Sequence, residues 1–95
     1  MKYNKLIRDK IPEIIKNNGD TCLTHIASEE EYKQKLVEKL QEEVDEYKKD
    51  PSLEELADIL EVIYALGDKE EMEKIRKQKF EKRGGFSKRI ILDES

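Results

Sequence analysis

The sequence predicts an all-α fold, an antiparallel bundle of about four helices completed by oligomerisation. Three observations predict it. Long segments with a helical apolar period are separated by short polar breaks carrying Pro or Gly. Ser-x-x-Glu patterns stand just before two of those segments. The 95 residues hold only two Pro and four Gly, too few for a many-stranded, turn-rich β fold. That length is one domain, residues 1–95, in the size range where a single core is marginal. Leu, Ile, Val and Phe number 24, enough to fold, since disorder is expected below roughly 20%. With 44% of residues charged and a mean hydropathy of −0.91, one copy has little to bury. Self-association into a homodimer or homotetramer is therefore expected.

The elements follow in order. Asp9–Asn18 reads as a short helix, with Asp9 as N-cap, Pro12 in the first turn and Gly19 as the stop. A polar link, Asp20 to Ala27, carries a lone histidine, His25, to which no role is assigned. Ser28-Glu29-Glu30-Glu31 is a capping box and starts a long helix to about Lys49, which Pro51 ends. Ser52-Leu53-Glu54-Glu55 opens a third helix that Gly67 closes, and Asp68 to Glu71 starts a fourth that runs to Gly84-Gly85. The short apolar tail Ile90-Ile91-Leu92 is left over and could be extended. The few residues around Pro51 make the second and third helices antiparallel neighbours.

Composition excludes several functions. No apolar run approaches the roughly 18 residues of a membrane span, so no membrane partner is expected. Met1-Lys2-Tyr3-Asn4-Lys5 opens no signal peptide, and the one cysteine, Cys22, fits a reducing cytoplasm. The net charge of −4 hides a sorting of signs: residues 1–27 carry +2, residues 28–73 carry −11 and residues 74–95 carry +5. A metal-bound polyphosphate suits such a layout, with carboxylates for the cation and Lys or Arg for the phosphates. A merely solvated acidic face accounts for the same counts. Nucleic acid is not expected as a partner, because the 17 central acids would repel its backbone.

On a helical wheel of about 100° per residue, Tyr32, Leu36, Leu40, Val44 and Tyr47 form one stripe. Glu43 falls inside it, Glu46 borders it and Glu42 points further away. From Leu56 to Leu66 only Asp58 and Glu61 are polar, the pattern of a buried helix. A buried carboxylate must pair, protonate or bind a cation, and no basic residue stands between Ser52 and Gly67. Glu43 and Glu46, like Glu55 and Asp58, lie one turn apart on a shared edge, so two antiparallel helices could offer four carboxylates to one site. Oxygen ligands alone select Mg²⁺ or Mn²⁺ over zinc. Plainer explanations stand beside this one. Glu55 closes the capping box with Ser52, Glu46 can pair with Lys39 or Lys49, and Asp58 and Glu61 can pair with basic residues of another segment. Tyr32, Tyr47 and Tyr64 read as core or interface.

With these residues in view, the chain resembles the all-α nucleotide pyrophosphohydrolases of the MazG superfamily, closest to its small phosphoribosyl-ATP pyrophosphohydrolase-like, house-cleaning members. The likeness rests on Glu43-Val44-Asp45-Glu46 and Glu55-Leu56-Ala57-Asp58, with the opening Tyr3-Asn4-Lys5-Leu6-Ile7-Arg8-Asp9-Lys10-Ile11-Pro12 and the closing Arg83-Gly84-Gly85-Phe86. It spans Tyr3 to Leu92. The eight residues between Glu46 and Glu55 are fewer than in most of the superfamily. The chain has no room for the second catalytic module of bifunctional histidine-biosynthesis enzymes, and nothing in it singles out phosphoribosyl-ATP.

The resemblance implies hydrolysis of a nucleoside triphosphate, or a related nucleotide, to the monophosphate and pyrophosphate. It implies Mg²⁺, or Mn²⁺, held by Glu43, Glu46, Glu55 and Asp58, with Glu61 and Glu42 as outer or second-metal ligands. Glu43 and Glu46 are then the expected catalytic carboxylates. Lys5, Arg8 and Lys10, together with Lys79 and Arg83, are expected at the phosphates, and Gly84-Gly85 would let backbone approach the ligand. A basic last helical turn, favoured by the helix dipole, explains Lys79 and Arg83 equally well. The competing hypothesis is a dimeric helical adaptor whose acids bind a basic partner without catalysis.

Overall fold

Lys10 precedes the first helix with no side-chain cap, although Asp9 is the better capping residue by type. The reason is a turn just upstream, in which the Ile11 N–H donates to the Arg8 carbonyl at 3.0 Å. In the computed structural model, which describes residues 4–95, α1 therefore spans only Ile11–Asn17. It stops as the sequence predicts: Gly19 takes φ 86°, and its N–H donates to the Lys16 carbonyl. Tyr3, the first residue of the opening motif, and Met1 and Lys2 lie outside the described residues.

The other three helix starts fall where the capping residues put them. Ser28 Oγ accepts the Glu31 N–H at 3.2 Å and starts α2, Glu29–Lys49. Ser52 Oγ accepts the Glu55 N–H at 3.2 Å and starts α3, Leu53–Leu66. Asp68 Oδ1 accepts the Glu71 N–H at 2.9 Å and starts α4, Lys69–Arg83. Each bond satisfies an N–H that the first helical turn leaves without a partner. The tail after α4 forms no strand; a turn closes it, the Arg89 N–H donating to the Phe86 carbonyl at 3.1 Å.

The architecture is all-helical, and α2 and α3 are the pair with an extended packing interface among the described residues. That hairpin buries Leu36 of α2 and Val62 of α3. Burying such a side chain stabilises by about 1.5–3 kcal/mol. Leu40, Val44 and Tyr47 of the predicted α2 stripe are half-buried around them. The expectation that α3 is buried nearly all round is not met. Leu53, Leu56, Leu60 and Tyr64 form an exposed apolar stripe on it, Leu53 at 84%. Two packed helices cover one side of each other, and neither α1 nor α4 adds a layer over the outer side of α3.

The molecule is elongated. Its radius of gyration is 17.6 Å and its longest extent 56 Å, whereas a compact chain of this length has a radius near 12 Å. Its accessible surface is 9267 Å², against about 5,700 Å² for a compact monomer of this mass. Gly67 is where α4 departs, at the end of α3 away from Glu55 and Asp58, and from there α4 runs without packing extensively on the hairpin. No described helix is long and apolar enough to cross a membrane.

Candidate functional site

The tight turn at Asp50–Ser52 sets the last half of α2 against the first half of α3. Acids from both helices meet there. Glu43, Glu55 and Asp58 each offer a carboxylate oxygen, and these oxygens lie within 4.8 Å of one another. The Glu43 side chain is only 13% exposed, as its place inside the apolar stripe predicts. Glu55 uses its backbone N–H, not its carboxylate, to meet the Ser52 cap, so capping leaves its side chain available to the cluster. Asp58 follows one turn later on the same edge.

Burial and its neighbours raise the Glu55 pKa: desolvation is the largest cause, followed by the charges of Asp58, Glu43, Glu46 and Asp50. No cation pairs with Glu55 among the described residues. Its neighbours are partly compensated. Arg8 donates from Nη2 to Asp58 Oδ1 at 2.7 Å, fifty residues away in sequence. Lys39 stands 3.5 Å from both Glu42 and Glu43, and Lys5 3.5 Å from Glu42. The segment that brings Arg8 and Lys5 here lies along the hairpin, where Lys35 Nζ donates to the Asn4 carbonyl at 2.9 Å.

Of the residues the sequence points to, Glu43, Glu55 and Asp58 are thus together. Glu46 lies close enough to push the Glu55 pKa upward but falls outside the tight trio. Glu42 is engaged by Lys5 and Lys39, and Glu61 is exposed and also outside the trio. Lys10 caps α1 and is exposed. Lys79, Arg83, Gly84 and Gly85 sit at the far end of α4 and do not join the acids. The two glycines serve the helix end instead. Gly84 takes φ 78°, and a Cβ on Gly85 would come within 3.1 Å of the Phe80 ring.

Sequence reasoning missed the part Lys39 plays here, although its spacing of three and four from Glu42 and Glu43 is a readable signal. It offered Lys39 only as one of two alternative partners, with Lys49, for Glu46. His25, left without a role, meets Glu31 at 2.9 Å across the start of α2.

Asp58 is less enclosed than its run of apolar neighbours implies, its side chain being 40% exposed. The site is therefore open on its Asp58 side, while Glu43 is enclosed. A hollow of about 230 Å³ beside Arg76, Lys77, Phe80 and Glu81 shares no residue with the acids, whereas a small one of about 40 Å³ is lined by Lys5, Lys39 and Glu42 next to them. Three carboxylate oxygens with no His or Cys beside them fit a hard divalent cation, and such an ion keeps positions for water and phosphate oxygens. Glu55 supplies the chemical motive, since a cation relieves the repulsion that raises its pKa. No family model, no curated protein and no solved structure matches this chain.

Proposed function

We propose that this chain is a divalent-cation-dependent nucleotide pyrophosphohydrolase, cleaving a nucleoside triphosphate or a related nucleotide to the monophosphate and pyrophosphate. The observation that carries this reading is the meeting of Glu43, Glu55 and Asp58 from two helices, with Glu55 lacking a cation among the described residues. The likeness of the two acidic motifs and the opening Tyr3–Pro12 segment to the MazG superfamily supports it. In this reading Glu43, Glu55 and Asp58 hold Mg²⁺ or Mn²⁺. When bound, such an ion neutralises phosphate oxygens and makes water more acidic. Glu46, on the rim beside Glu55, accepts the proton of the attacking water. Arg8 and Lys5, at the same edge as the acids, meet the anionic phosphates and orient the chain for in-line attack.

The test is a panel of ordinary and modified nucleotides, with phosphoribosyl-ATP, assayed for pyrophosphate with and without Mg²⁺. Release that needs the cation and is lost in Glu55→Gln supports the reading. No release from any member of the panel refutes it.

One observation favours the adaptor as a second reading. Arg8 already sits on Asp58, so the acids accept a guanidinium. An adaptor gains no heat stability from Mg²⁺, and the enzyme does.

A further inference from the structure

The outer stripe of α3 and the tail beyond α4 are two apolar features that the fold leaves uncovered. Leu53, Leu56, Leu60 and Tyr64 recur at helical spacing and share one face. In the tail, Phe86 is 97% exposed, and Ile90, Ile91 and Leu92 are 78–80% exposed. Patches of this kind on a soluble chain mark an interface. We propose that each covers the other between two copies: the Phe86–Leu92 tail of one copy seats on the α3 stripe of its partner, and reciprocally.

Three arguments favour a second copy. The first is area. The surface beyond that of a compact monomer is about 3,600 Å² per chain, whereas a standard contact covers only about 800 Å² per partner. An exchanged arm covers more than a flat contact does.

The second is register. α3 holds 14 residues and α4 holds 15, so both are about 21–23 Å long at 1.5 Å per residue. If α4 folded back along its own α3, Arg83 would lie opposite Leu53. The tail would then overshoot the stripe, and the mostly polar α4 would cover it instead. A second copy brings the tail onto Leu56 and Leu60 without reversing the chain after α4.

The third is charge. α3 carries four acids and no base, and Glu54 and Glu61 flank the stripe on one side. The tail sets Lys88 and Arg89 immediately before Ile90 and Asp93 and Glu94 just after Leu92, so its Phe86–Leu92 part, the one that seats on the stripe, carries +2. Pairing two α3 stripes directly would bring acid against acid, whereas a tail on a stripe brings base against acid. The contact is isologous, so it closes at two copies.

The experiment uses the full chain with Cys22→Ser and the pair Leu60→Cys and Ile91→Cys. Mild oxidation should give a covalent dimer on a non-reducing gel, cross-linked between residues 60 and 91 as mapped by mass spectrometry. An intramolecular bond means that the tail folds back in one chain and overturns the proposal. Absence of a 60–91 bond overturns it too. Light scattering gives the second reading, with helicity checked by circular dichroism. Ile90→Asp with Leu92→Asp, changes confined to the exposed tail, should raise the dimer dissociation constant at least 100-fold. A helical variant that stays dimeric refutes the tail's part.

Discussion

Asp58→Asn tests the candidate site directly, because it removes one of the proposed metal ligands while changing the fold little. The structure sets the magnitude. Asn cannot replace the charge that Arg8 meets at 2.7 Å, but both side chains are well exposed, and an exposed pair is worth about 0.2–1 kcal/mol. Against that loss, the variant relieves Glu55 of its strongest like-charged neighbour. The two effects oppose, so stability without metal should move by less than about 1 kcal/mol, or under roughly 8 °C in Tm for a domain of this size. The metal response should change far more. An ion at a hundred times its Kd stabilises by about 2.7 kcal/mol; a tenfold weaker Kd leaves about 1.4 kcal/mol. The Mg²⁺-induced rise in Tm should therefore fall to about half or less. The assay is thermal unfolding at fixed protein concentration with stepped Mg²⁺, beside pyrophosphate release. An undiminished Mg²⁺ response with retained release would falsify the role given to Asp58.

Glu55 makes the stability depend on pH. Its pKa is raised on folding, so between its ordinary value and the raised one the native state binds more protons than the unfolded state. Metal-free stability should fall as pH rises through that window, and the unfavourable contribution is absent below the ordinary pKa. Denaturation of Glu55→Gln across the same pH range should lack this component; identical pH profiles for the two proteins refute the assignment. Leu36→Ala empties the best-buried position of the hairpin and should cost about 2–5 kcal/mol, read by urea unfolding. A loss under 1 kcal/mol means that the α2–α3 seam is not the core. Ser52→Ala removes the acceptor of the Glu55 N–H and should cost about 1 kcal/mol in the same assay. Gly84→Ala should destabilise by about 1–3 kcal/mol, because φ 78° with ψ −175° is closed to a side chain.

Much of the site was readable before any coordinates. Glu43 fell inside an apolar stripe by spacing alone, and its low exposure follows from that position. Glu55 and Asp58 shared an edge by the same arithmetic, and the short turn at Pro51 made α2 and α3 antiparallel neighbours, so that edge could meet Glu43. What spacing could not supply was the countercharge of Asp58. Arg8 reaches Asp58 across fifty residues of sequence, and no local periodicity encodes such an approach. The burial of Asp58 was overestimated for a related reason. An apolar run reveals what a helix would bury, not how many neighbours arrive to bury it.

The division between sequence and tertiary structure follows from range. Helix starts at Ser28, Ser52 and Asp68 were settled by single side chains bonding to N–H groups three residues on, an interaction complete within one turn. The stop at Gly19 was settled by the steric freedom of glycine at positive φ. The missed cap at Asp9 shows the limit of that logic, since a backbone turn outcompeted a suitable side chain. Only the tertiary structure decided that α4 leaves the hairpin and that Lys79 and Arg83 end far from the acids. Only it decided that one face of α3 remains bare. These outcomes depend on packing summed over many residues distant in sequence, and no single cap or spacing carries that sum.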